Sequence, residues 1–172
     1  MIGQALRIVG VEVSVAVSHM AVRVYVEFAA KDAFKAVTRR DLIIVVDVLR
    51  CTSSIVNAFA NGVKALIPAE TLKEAYKLRR QHPDYLLAGE RKGRKLRGFD
   101  LGNSPLEFVH DVVRGRTVIM TTTSGTLALV RCRQADHVLI GTFLNAKAVA
   151  KKAEEIAQTK GVSASFVLAG EN

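Results

Sequence analysis

Tryptophan is absent, and Phe and Tyr together make up only 6 % of the residues. Aliphatic side chains must therefore fill any core, and an apolar fraction of 49 % supplies enough of them. Cysteine is scarce too. Cys51 and Cys132 stand alone, with neither CxxC nor metal-ligand spacing, which excludes a disulfide framework or a zinc cluster built on them. A reduced, cytoplasmic chain is the simplest reading. His19, His82, His110 and His137 contain no pair at metal-binding spacing, and none is assigned a role. The apolar run near the start, IVGVEVSVAVS, is interrupted by Glu12 and is too short and too polar to cross a bilayer. It lacks a signal-peptide cleavage site. No internal repeat, linker or low-complexity stretch divides the 172 residues, which read as one domain. Acidic residues are outnumbered, 16 against 25 Lys and Arg, leaving a formal charge of +9. That balance suits an anionic partner or a solvated basic surface, and charge alone does not choose between them.

What is present is an alternation. After AVRVYVEF, which reads as a strand, LIIVVDV (42–48) is a short β-branched run and TSSIVNAFANG has helical spacing. VKALIP reads as a strand. ETLKEAYKLRRQ is a helix, with Thr71 and Glu74 placed as a capping box. DYLLAG is again a strand. SPLEFVHDVVRG reads as a helix with Ser104 as cap, Pro105 at the first helical position and Glu107 completing the box. TVIMTT, SGTLALVRCRQ, DHVLIGT, NAKAVAKKAEEIAQTKG and SASFVLAG continue as strand, helix, strand, helix and strand, the last helix capped by Asn145 and ended by Gly161. The pattern predicts a three-layer α/β/α fold around a mostly parallel sheet. Residues 1–19 read either as an extension upstream of a start at Met20 or as an extra edge strand, and the sequence alone does not choose. The domain proper is 20–172. It is read as incomplete at its C-terminal end, because GEN follows a strand with no covering helix.

Polar chemistry gathers where the strands end, the edge at which open α/β sheets bind ligands. Asp47 to Ser54, Gly89-Glu90-Arg91, Thr121 to Thr126, Gly141 to Asn145 and Gly170-Glu171-Asn172 all fall there. TTTSGT leads from a strand into a helix. Its hydroxyls and the backbone N–H groups of 122–126 can receive an anion, with Gly125 permitting close approach; the plain alternative is a capped turn. It is not a P-loop, since no Gly-Lys-Ser or Gly-Lys-Thr follows. In VDVLRCTSS, Asp47 can hold Mg²⁺ and Arg50 can clamp a phosphate or carboxylate, or the two can pair with each other or cap the helix. Cys51 reads as a packing residue rather than a nucleophile, because Arg50 precedes it instead of following across a glycine loop. AGERKGRKLRGFDLGNSP (88–105) has no periodicity of its own, and a loop of that length is usually functional or disordered. It reads as a lid or substrate loop at the same edge, against a solvated basic hairpin. Nucleic-acid binding through RKGRKLR is set aside for want of interleaved aromatics.

VDVLRCTSS, AGERKGRKLRGFDLGNSP, TTTSGT and GTFLN, in this order, resemble the 2-phosphosulfolactate phosphatase family over roughly residues 20–172. The resemblance implies Mg²⁺-dependent hydrolysis of 2-phospho-3-sulfolactate, or a similar small anionic phosphoester, to 3-sulfolactate and phosphate, in coenzyme M biosynthesis or related sulfonate metabolism. It implies Asp47, Arg50 and Asp100 as catalytic residues, with Asp47 and Asp100 on the metal. Thr52, Ser53, Glu90, Arg91, Asn103, Ser104, Thr122, Thr123, Ser124, Gly125, Thr126 and Asn145 would then contact substrate. The partner would be a small polyanionic phosphoester, with no membrane, nucleic acid ranked last, and a homo-oligomer left open. The competing reading is an anion-binding module or inactive fragment that does not turn over.

Overall fold

Leu42-Ile43-Ile44-Val45-Val46 shows why these strands are apolar throughout. Leu42 and Ile44 pack with Val149, Ala153 and Ile156 on one face. Ile43 and Val45 pack with Ala33, Ala36, Ala128 and Cys132 on the other. A strand covered on both faces has no position left for a polar side chain. Full burial of each such aliphatic contributes on the order of 1.5–3 kcal/mol.

The computed structural model describes residues 13–17 and 20–170. Its strands are β1 (Val13–Val17), β2 (Met20–Glu27), β3 (Leu42–Val46), β4 (Ala65–Pro68), β5 (Leu86–Arg91), β6 (Arg94–Lys95), β7 (Thr117–Thr121), β8 (Val138–Gly141) and β9 (Ala164–Leu168). The helices are α1 (Ala33–Arg39), α2 (Cys51–Ala60), α3 (Leu72–Gln81), α4 (His110–Val113), α5 (Gly125–Arg131) and α6 (Ala146–Lys160). The mostly parallel α/β/α architecture is as predicted, but the strands divide between two sheets. One has the order β1-β2-β9-β3-β8 and the other β4-β7-β5-β6. Pairing is parallel except between β1 and β2 and between β5 and β6. The run 13–17 is an edge strand antiparallel to β2. The rest of the 1–19 segment, His19, and Glu171-Asn172 lie outside the described residues.

Helices α2 and α5 lie between the sheets. Cys51, Ile55 and Ala58 of α2 pack on Val118 and Met120 of β7, with Ile140 of β8 against the same cluster. Leu129 of α5 joins this cluster to the one beneath β3. α6 covers the far face of the first sheet and α3 the far face of the second, where Ala75 and Leu72 meet Leu87 and Ile119. A helix enclosed on both sides can carry only small or apolar residues, hence Cys-Thr-Ser-Ser at the buried start of α2.

Two predicted elements differ. Residues 104–115 do not make one helix. A 3-10 turn at Pro105–Glu107 precedes the four residues of α4. Ser104 makes no side-chain cap, and the Glu107 carboxylate accepts instead from Gly102 N at 2.8 Å. The cause is tertiary. Phe108 is fully buried, and Asn57 Nδ2 donates to the carbonyls of Pro105 (2.7 Å) and Phe108 (3.3 Å), diverting the chain from a helical path.

The 90–104 segment is ordered by pairing rather than left as a loose lid. β6 returns antiparallel to β5, with Glu90 opposite Lys95 and Arg91 opposite Arg94. Lys92 and Gly93 at the tip have φ of 52° and 73°, the left-handed pair that a tight two-residue hairpin requires. The chain then turns again, and Leu101 bridges Ala88 in parallel. Tyr76 and Arg79 of α3 grip this return: Tyr76 Oη donates to Arg97 O, and the Tyr76 ring meets Phe99 edge-on. The segment therefore touches the strand-end edge twice, at Gly93 and at Asn103, and leaves it in between.

Candidate active site

The carboxyl ends of β3, β5 and β7 open on one cleft of about 440 Å³. It is lined by Asp47, Leu49, Arg50, Glu90, Gly93, Asn103, Thr122, Thr123, Ser124 and Gly170. Asp47, one residue beyond β3, is buried. Thr52 fixes its backbone from both sides: Asp47 N donates to Thr52 Oγ1 at 3.0 Å, and Thr52 Oγ1 donates to Asp47 O at 2.8 Å. Ser53 Oγ donates to Val48 O at 2.6 Å and lies 2.8 Å from Thr142 Oγ1. The Thr52 and Ser53 hydroxyls thus shape the 47–52 turn, and neither residue lines the cleft.

Glu90, at the end of β5, holds two other segments. Oε1 accepts from Thr123 N (2.8 Å) and Thr123 Oγ1 (2.9 Å), and Oε2 accepts from Gly93 N (2.8 Å). Burial pushes the Glu90 carboxyl up. The N–H groups of Thr123 and Gly93, the Thr123 hydroxyl and the Arg91 charge outweigh burial and hold it below the usual value. Arg91 itself turns to Glu90 O and to Thr121 Oγ1, away from the cleft. Arg50 stands at the rim, and its guanidinium donates to Gly93 O at 3.0 Å.

Asn103 is buried against α2, its carbonyl accepting from Ser54 Oγ at 3.0 Å. Its Oδ1 has no hydrogen-bond donor among the described residues. A buried acceptor left unpaired costs about 1–3 kcal/mol, and here the atom belongs to a residue of the cleft wall.

The TTTSGT stretch departs from the predicted anion loop. Thr122 N donates to Thr126 Oγ1 (2.8 Å), Thr126 N to Thr122 Oγ1 (3.0 Å), and Thr123 N to Glu90. Three of the five N–H groups are already engaged, and α5 has only seven residues. Thr122, Thr123 and Ser124 form a wall. Thr126 closes the turn behind it, and Gly125 lets α5 pass against Asp47 and Cys51.

Asp100 is a correction. It is exposed and its Oδ2 accepts from Leu87 N (2.7 Å) and Arg79 (2.8 Å), near the start of β5 rather than its end. The second turn of the 90–104 segment carries it there, and the structure does not place it with Asp47. Ser104 does not line the cleft either. Asn145 sits behind it, accepting from Thr142 N and donating to Ile140 O at 2.9 Å each. Leu49, Gly93 and Gly170 complete the lining; Leu49 and Gly170 fall in the strand-end stretches singled out above, whereas Gly93 is marked only by the Lys-Gly pair of a tight turn.

Cys51 is fully buried. Burial, then the Asp47 charge, pushes its thiol up to about 12; a hydrogen bond with Thr122 opposes this and Glu90 adds to it. A neutral thiol is a poor nucleophile. Cys51→Ala is therefore expected to act through packing alone, read as a lowered thermal midpoint.

Among the described residues no three His, Cys, Asp or Glu side chains converge as a metal cluster, and no helix is long and apolar enough to cross a membrane. A family model described as 2-phosphosulpholactate phosphatase matches residues 28–172. The chain is 44 % identical over 129 residues to a protein of Clostridium acetobutylicum named "Probable 2-phosphosulfolactate phosphatase", covering 74 % of this chain and 55 % of the relative. A Clostridium beijerinckii protein of the same name is 44 % identical over 128 residues, 72 % of this chain and 53 % of the relative. One from Clostridium perfringens strain 13 is 46 % identical over 115 residues, 64 % and 47 %. The chain spans about half the length of the curated relatives it matches.

Proposed function

Because this chain belongs to the 2-phosphosulfolactate phosphatase family, we propose that its cleft hydrolyses 2-phospho-3-sulfolactate, or a similar small anionic phosphoester, to 3-sulfolactate and phosphate. The reaction would serve coenzyme M formation or related sulfonate metabolism. The observation that carries the reading is the cleft that buried Asp47 and Arg50 share with Asn103, whose buried Oδ1 has no donor among the described residues. An amide oxygen and a carboxylate are hard donors, and Mg²⁺ needs only one or two protein carboxylates, filling its remaining positions with water and substrate oxygens. Asp47 and Asn103 fit that demand. Bound there, Mg²⁺ would offset phosphate charge and lower the pKa of a water.

The chain's own residues supply the rest. The Arg50 guanidinium can take two phosphate oxygens at once and stabilise the charge on them as the ester bond to the leaving oxygen breaks. The Thr122–Ser124 wall and Arg50 confine the ester between them, so that a water at the Asp47 side attacks phosphorus in line. A second anionic group on the substrate would lie toward the basic hairpin that carries Lys92 and Arg94. A substrate series tests this: 2-phospho-3-sulfolactate against phosphoesters in which the sulfonate is replaced by an uncharged group. The expected result is a fall in kcat/KM of about tenfold or more per anion removed. Equal turnover across the series would contradict a site built for a small polyanion.

A further inference from the structure

Arg50 lines the cleft, and a long side chain at a rim needs something to hold it. What holds it is a peptide, not a carboxylate. The Arg50 guanidinium donates to Gly93 O at 3.0 Å, and the N–H of the same residue donates to Glu90 Oε2 at 2.8 Å. The other oxygen of Glu90 takes both the N–H and the hydroxyl of Thr123 on the facing wall. Lys95, opposite Glu90 across the hairpin, sends its Nζ to Asp100 O at 2.7 Å and does not compete. One buried carboxylate thus joins the end of β5, the hairpin tip and the 122–124 wall.

We propose that Glu90 is a positioning residue that acts through Gly93 to hold the Arg50 guanidinium at a fixed distance from the Thr122–Ser124 wall, setting the width of the phosphate position. The proposal rests on the phosphatase reading above and assigns Glu90 neither to the metal nor to the substrate. Only a carboxylate suits the place, because three donors converge on it. A glutamine can keep its carbonyl toward the two donors of Thr123, but its NH₂ then faces Gly93 N–H. Donor meets donor, the tip is released, and Arg50 loses its anchor.

The test is a double-mutant cycle on the full chain, read as the affinity for inorganic phosphate by calorimetry with Mg²⁺ present. Glu90→Gln is expected to weaken phosphate about tenfold in the unaltered background and less than about twofold in an Arg50→Ala background. Equal weakening in both backgrounds would overturn the relay, since Glu90 would then act independently of Arg50. Should Glu90→Gln not fold by circular dichroism, Glu90→Asp keeps the charge, withdraws it from Gly93 N and must show the same coupling. If Arg50→Ala binds phosphate as the unaltered chain does, the clamp assigned to Arg50 in the phosphatase reading fails and the relay with it. If Arg50→Ala weakens phosphate but Glu90→Gln does not, only the relay fails. No phosphate binding by the unaltered chain would overturn both.

Discussion

Asp47→Asn is expected to lower phosphate release about 10³-fold while leaving the fold intact. The change is nearly isosteric. Two bonds that fix this position run through the Asp47 backbone to Thr52, and they hold the 47–52 turn when the side chain is changed. The negative charge does not survive, and it is the charge that would hold a divalent cation beside the phosphate. Far-UV circular dichroism and the thermal midpoint should match those of the unaltered chain. The combination of a preserved fold and lost turnover is what distinguishes a catalytic carboxylate from a structural one. Release within tenfold of the unaltered chain would place the chemistry elsewhere.

Gly125→Ala should damage both stability and turnover. A Cβ at this position would stand 2.4 Å from Cys51 Cβ, 2.6 Å from Asp47 Oδ2 and 2.7 Å from Cys51 Sγ. Atoms at those separations must move, and α5 and α2 are both enclosed between sheets. Overpacking of this kind costs about 1–3 kcal/mol, or roughly 3–9 °C in the thermal midpoint for a chain of this size. Alanine's better helix propensity offsets less than half of that range's upper end, since glycine is only about 1 kcal/mol worse. Displacing Asp47 should cost about 10²-fold in phosphate release beyond the stability loss. An unchanged midpoint with full activity would mean that α5 does not approach Asp47 as closely as described.

The strand–helix alternation was legible because each buried strand is apolar on both faces, as in Leu42–Val46 and Thr117–Thr121, and each crossover helix has a polar side or a cap. Thr71 caps α3 by accepting from Glu74 N at 3.1 Å, and Gly161 ends α6 with φ 63°. The reciprocal half of the predicted box lands one residue early, Glu74 Oε2 accepting from Glu70 N at 2.9 Å. The division into two sheets was not legible, because a strand's own residues do not say which neighbour it will pair with. The broken helix at 104–115 follows from Asn57, far away in sequence, taking two carbonyls.

At the site, strand ends were a sound guide for Asp47, Arg50, Glu90 and Thr122–Ser124, which share the cleft. They were a poor guide to roles. Thr52, Ser53, Thr126 and Asn145 are polar because turns behind the cleft need their hydrogen bonds. Asp100 and Asn103 lie three residues apart in one motif, and only the double turn of the hairpin separates their fates. That turn is encoded in Lys92-Gly93 and in the grip of Tyr76 and Arg79. Neither signal stands out in a segment crowded with charge.

The central claim, that this cleft hydrolyses a small anionic phosphoester with a divalent cation, is tested most directly by phosphate release from 2-phospho-3-sulfolactate, first with Mg²⁺ and then with EDTA. The account predicts release with Mg²⁺ that EDTA abolishes. No release from the folded chain with Mg²⁺, or release indifferent to EDTA, would contradict it.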